Sequence, residues 1–260
     1  MLRFESRVLA SPLSRALWAE ALKLKGTLAL WMCLIAPGVV IALQVLQLLA
    51  SSNDPPAQAG EDPWPRFVNA TLALWAFLML PLFTTLQAAL LGALEHGERQ
   101  WKHLLALPLP RSSHYLAKAL GLIALLILAT AALCALLPLL GQLLKLRPEL
   151  GFQGWPDLGF MLKKALQIAL CAQCMLAIQL AVALHWRSFT IAVSVGMSAT
   201  VMGFLIGQSA RYGPWFPWTM GIQPITRNPA IELVMLASIV GALTVTALSV
   251  AWFQRRDFVD

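Results

Sequence analysis

The residues with the most chemical potential lie in one short stretch, from Glu95, His96 and Glu98 through Arg99, Trp101, Lys102, His103, Leu104 and Leu105 to Pro108. Two carboxylates and two imidazoles so close together could ligate a metal ion or share a proton, as hydrolases require. The same stretch also reads as a helix. From Glu98 to Leu107, Trp101, Leu104 and Leu105 recur at i, i+3 and i+4, with Arg99, Gln100, Lys102 and His103 polar around them. Pro108 and Pro110 stop such a helix, and Ser112 or Ser113 is then placed to cap the next one. An aromatic-aliphatic knob flanked by charge suits insertion into a partner's groove. It equally suits packing on the chain's own surface.

Other constellations carry less. Cys171 and Cys174 have the spacing of a redox or metal pair, but they sit within an apolar run, as do Cys33 and Cys134. Small packing residues are the better reading, and no disulfide framework or metal site is assigned. No G-x-x-x-x-G-K-[ST] occurs, so the chain shows no phosphate-cradling nucleotide site of that type and no nucleotide-binding domain. The run Glu95…Glu98-Arg99 is faintly similar to a pattern of intramembrane CAAX-type proteases. The adjacent glutamate pair and the histidines within later spans that such enzymes need are missing. No catalytic residue is assigned, and the protease remains an alternative reading.

The elements that must hold this stretch are set by composition. Of 260 residues, 59% are hydrophobic and 12% charged, with mean hydropathy +0.72. A soluble domain carries about 25% charged residues, so the chain reads as an all-α integral membrane protein. A hydrocarbon core of about 30 Å needs about 20 apolar residues per spanning helix. Six windows qualify, with spans predicted at 28–50, 67–93, 115–141, 163–184, 189–208 and 231–253. They are continuous apolar runs rather than the alternating strands of a barrel. One transmembrane domain over 1–260 is expected, with 1–27 a cytoplasmic segment and the first span retained rather than cleaved.

The net charge of +7 marks orientation and not nucleic-acid binding, because the basic residues flank the spans. With the N-terminus cytoplasmic, twelve of the nineteen Lys and Arg fall inside, among them Lys23, Lys25, Arg99, Lys102, Arg111 and Lys118. Both termini are therefore placed in the cytoplasm. The loop between spans 3 and 4 runs against this bias, with Lys145, Arg147, Lys163 and Lys164 outside.

Ahead of the first span, Leu13, Leu17, Ala21 and Leu24 share one helical face, with Glu20 in its middle and Lys23 within i+3 of it. This is an amphipathic helix on the inner leaflet or a solvated basic tail. No ionisable residue is expected deep within a span, which argues against the alternative of a proton-coupled carrier. Gln44, Gln87 and Gln173 are among the strongest polar groups in the spans, and could line a pathway or hydrogen-bond between helices. Pro37, Pro81 and Pro138 fall inside spans 1 to 3.

The series Glu95…Glu98-Arg99…Trp101-Lys102…Leu104-Leu105…Pro108…Arg111…Lys118 resembles the loop between spans 2 and 3 of ABC-2 type exporter permeases. The entry Glu20…Lys23-Leu24-Lys25…Leu28…Trp31 and the Trp215-Phe-Pro-Trp218 segment look similar to the lantibiotic and bacitracin self-immunity subfamily. The resemblance implies the type V exporter fold, with residues around Leu13 to Leu24 as an elbow helix and Glu98 to Leu107 as a coupling helix. It implies two copies of a separate ATPase carrying ATP and Mg, and a second permease subunit, identical or sister. It also implies a bacterial inner-membrane location, and a hydrophobic or amphipathic cargo such as an antimicrobial peptide. This chain itself needs no cofactor on that view.

Overall fold

The computed structural model describes residues 11–50, 62–96, 110–186, 188–226 and 228–255, and among them the chain is all-helical. The first helix, α1 (Pro12–Leu24), lies ahead of the long apolar α2 (Leu28–Ala50). Ser11 caps α1 by accepting from the Ser14 amide at 3.2 Å. Pro12 begins the helix, where its missing N–H is not needed. The chain then turns a corner at Gly26, whose φ of +76° is a conformation that disfavours a side chain.

The second crossing is built from α3 (Trp64–Leu74), a π-helical turn (Trp75–Met79) and α4 (Leu80–His96). The widened turn has a cause in the sequence. Pro81 lacks an N–H, and its ring crowds the carbonyl of Phe77, four residues back and inside the π turn. The third crossing, α5 (Arg111–Gly141), continues through Pro138. Its start corrects the capping expected of Ser112 or Ser113. Pro110 occupies the cap at φ −58° and ψ 136°, no side chain caps the helix, and both serines lie in its first turn. The fixed φ of proline already suits that position.

The fourth crossing is broken where a continuous helix over 163–184 is expected. α6 (Leu158–Cys171) and α7 (Gln173–His185) meet at an angle of 42°. Neither proline nor glycine sits at the break. Instead Ser238, fully buried, inserts from α10 (Ile231–Arg255). Its hydroxyl donates to the Cys171 carbonyl at 2.8 Å and accepts from the Cys174 amide at 3.1 Å. The Gln173 amide adds a bond to the Ala169 carbonyl at 2.7 Å. A side chain inserted into the backbone ladder bends a helix, and these bonds satisfy the groups the bend frees in an apolar medium.

α8 (Phe189–Ile206) is capped by Ser188, which accepts from the Ile191 amide. A tight segment follows, with a 3₁₀ turn (Gly213–Trp215) and the four-residue α9 (Pro217–Met220). The Lys164 ammonium donates to the Pro224 carbonyl at 2.6 Å, fastening this segment to α6. Five described helical runs are long and apolar enough to cross a membrane, and the bent pair makes a sixth.

In the bundle, α2 packs on α5, α7 on α10, and α4 on both α7 and α8, while α1 lies against α5. Small residues permit the close crossings, as membrane helices require. At Gly92 of α4, a Cβ would stand only 2.7 Å from the Ala183 carbonyl oxygen of α7. Cys33, Cys134, Cys171 and Cys174 are all buried and free. Apolar side chains on α8 and α10, such as Val201, Leu205, Leu243 and Leu248, face outward, as lipid contact demands.

Candidate functional site

The predicted coupling stretch bears first on what the structure places. Glu98, Arg99, Trp101, Lys102, Leu104, Leu105 and Pro108 lie outside the described residues. Glu95 belongs to the last turn of α4 and Arg111 is the first residue of α5. The described site is therefore the frame from which the stretch departs and to which it returns.

One carboxylate closes that frame. Glu20 of α1 is 5% exposed. Its Oε1 lies 3.0 Å from the Lys23 ammonium and its Oε2 lies 3.1 Å from the Lys118 ammonium. Lys118, two turns into α5, is 1% exposed. Its ammonium also donates to the Leu91 carbonyl near the end of α4, at 3.4 Å. A cation from α5 thus holds α1 through a side chain and α4 through its backbone.

The local sequence explains the geometry. Ala16, Glu20 and Leu24 recur every four residues and form the buried face of α1. The stripe expected from Leu13, Leu17, Ala21 and Leu24 is rotated from this. Leu13 and Leu17 are half-buried and Ala21 is exposed, while Leu24 is shared by both faces. Lys118 dictates the rotation, because a buried ammonium without a counter-charge costs several kcal/mol. Lys118 is itself buried against protein rather than left on the surface. Burial alone would raise the Glu20 pKa, but the charge of Lys118, then that of Lys23, and the hydrogen bonds from both hold it below its ordinary value.

The glutamines proposed for a pathway are each engaged. Gln87, fully buried in α4, donates to the Ala29 carbonyl of α2 at 2.8 Å. Gln44 reaches the Ala70 carbonyl of α3 at 3.4 Å, and Gln173 serves the break in the fourth crossing. Gln179, in α7, donates to the Ala192 carbonyl of α8 at 2.8 Å. Of the histidines, His114 is buried and His185 stacks beside Trp186 and Trp252, with ring centroids 4.6 and 4.4 Å away.

What the cluster can do is mechanical. It joins the helix before the first span to the two helices that bracket residues 97–110. Sequence reasoning paired Glu20 with Lys23 and missed Lys118, since only the fold brings residues this far apart in the chain into contact.

Residues 16–204 match the family described as ABC-2 family transporter protein, a span running from within α1 almost to the end of α8. No curated protein matches the chain. With nearly three quarters of its length covered by that match and its helices built to cross a bilayer, the chain belongs to the ABC-2 transporter family, as a multi-pass permease component of an ABC transporter.

Proposed function

We propose that this chain is the permease of an exporter driven by a separate ATPase, and that residues Glu98 to Leu107 form the coupling helix on which that ATPase docks. Family membership supports the division of labour, because the chain carries no phosphate-cradling motif. The observation that carries the docking site is the buried cluster of Glu20, Lys118 and the Leu91 carbonyl, which ties together α1, α4 and α5. These are the elements through which a push on residues 97–110 must pass.

On this reading both termini are cytoplasmic and α1 is the elbow helix, lying on the inner leaflet of a bacterial inner membrane. Two ATPase copies bind ATP and Mg, and a second permease subunit, identical or sister, completes the pathway. ATP closes the ATPase domains, and the bundles rock to expel a hydrophobic or amphipathic cargo. The resemblance to self-immunity permeases makes an antimicrobial peptide the first cargo to test. Trp101 and Leu104 would fill the ATPase groove, with Glu98, Arg99 and Lys102 at its rim.

The test is a Trp101→Ala, Leu104→Ala double variant co-expressed with the candidate ATPase. The expected result is loss of co-purification and of cargo-stimulated ATP hydrolysis. Unchanged binding together with unchanged stimulation overturns the docking role.

A further inference from the structure

An apolar groove of about 490 Å³ runs between α1, the start of α2 and α5. On α5 its wall extends from Ala117 to Leu128. At 1.5 Å per residue that is about 16 Å of helix, close to the roughly 15 Å depth of one leaflet's hydrocarbon. Its polar neighbour Glu20 is already spent on Lys118 and Lys23. Apart from Ser14 and from Trp18, which is 64% exposed at the edge, the rest of the wall is apolar.

Two basic residues adjoin the groove's α1 wall in sequence, Arg15 beside Ser14 and Lys25 beside Leu24. Arg15 and Lys25 are both exposed on and just past α1, while Glu20 is the only carboxylate in the three helices that wall the groove, α1, α2 and α5. The site therefore offers a largely apolar slot one leaflet deep, flanked on α1 by two exposed basic residues.

We infer that this groove holds one acyl chain of an anionic phospholipid from the leaflet that α1 faces, with its headgroup on Arg15 and Lys25. The bound chain would fill the space between α1 and α5 and complete the packing around the Glu20–Lys118 pair. The inference rests on the proposed placement of α1 at the membrane surface, but on no part of the ATPase reading.

Gly121 supplies a clean probe. It lines the groove, and a Cβ built there meets nothing within 4 Å. Gly121→Leu should thus plug the groove while favouring the helix. The permease alone is purified in mild detergent and titrated with dioleoyl phosphatidylglycerol or dioleoyl phosphatidylcholine, and retained lipid is counted by native mass spectrometry. Wild type is expected to retain one phosphatidylglycerol in preference to phosphatidylcholine. Each basic residue near a membrane surface contributes about fivefold to binding an anionic lipid. The Arg15→Glu, Lys25→Glu variant, altered only at exposed positions, should lose that preference by at least about tenfold. Gly121→Leu should lose both lipids while eluting as a folded species.

Equal retention by wild type and Gly121→Leu overturns the proposal. So does a phosphatidylglycerol site that appears only after residues 1–10 are deleted, since the chain's own segment then fills the slot. A change of oligomeric state in Gly121→Leu without any lipid retained by wild type overturns it too, by making the groove an interface between copies. Lipid retention is read without ATPase or cargo, so its failure is separable from failure of the coupling role.

Discussion

Glu20 and Lys118, 98 residues apart in sequence, meet in a 3.1 Å ion pair whose side chains are 6% and 1% exposed. Removing one partner of a buried pair leaves an uncompensated charge and destabilises by about 3–5 kcal/mol. Glu20→Gln and Lys118→Met should each lower the thermal midpoint in detergent by that scale of free energy. The double variant should recover part of the loss. Lys23→Ala touches the same carboxylate from a more exposed position, 26% against 1%, and should cost about 0–1 kcal/mol. Equal losses for Lys23→Ala and Lys118→Met would show that burial does not rank the two contacts.

The pair also sets a pH response. The Glu20 pKa is held below its ordinary 4.5, with the two lysine charges outweighing burial. A carboxyl depressed by folding contributes stability that is complete above its unfolded pKa and lost as pH falls through the lower folded one. Between pH 5 and 8 the stabilities of wild type and Glu20→Gln should therefore run parallel. They should converge only below the ordinary glutamate value. Convergence near pH 6 or 7 in thermal melts is the outcome that contradicts the assignment.

Ser238 fills the break between α6 and α7 with two hydrogen bonds, at 2.8 and 3.1 Å. Ser238→Ala leaves the Cys171 carbonyl and the Cys174 amide without that hydroxyl, at a cost of about 1–3 kcal/mol. The expected drop is read as a lowered unfolding temperature. A melt that superimposes on wild type means that the bend does not depend on this side chain.

Gln87 separates a structural glutamine from a pathway one. Its bond to Ala29 predicts that Gln87→Leu loses about 0.6–2 kcal/mol of stability while cargo-stimulated ATP hydrolysis by the assembled transporter survives. Intact stability with abolished stimulation would move Gln87 into the pathway.

At Gly92 the neighbour is backbone, 2.7 Å from where a Cβ would stand, so it cannot swing aside as a side chain would. Gly92→Ala should separate α4 from α7 at an overpacking cost of about 1–3 kcal/mol. Folded yield and thermal midpoint measure it.

Much of the architecture is legible in the sequence because bilayer depth imposes a length and an apolarity on each crossing. Leu28–Ala50 and Phe189–Ile206 are visible in that way. What resists reading is set by partners far along the chain. No local pattern says that Glu20 turns inward, because Lys118 draws it there. Likewise 163–184 shows no breaker, because Ser238 supplies the break from outside. The proposed coupling stretch has a clear amphipathic pattern from Glu98 to Leu107, but it lies outside the described residues. The glutamines illustrate a different limit, since a lone amide in an apolar run looks alike whether it serves a neighbouring carbonyl, as Gln87 does, or a passing solute.

The bend between α6 and α7 also carries a consequence for how the protein is made. Chains emerge N-terminus first, and the hydroxyl that satisfies Cys171 and Cys174 belongs to the last helix, Ile231–Arg255. Until that helix has entered the bilayer, the fourth crossing cannot settle into its mature shape. Its freed backbone groups stay an unfinished surface, a mark by which a membrane quality-control protease could tell a half-built permease from a complete one.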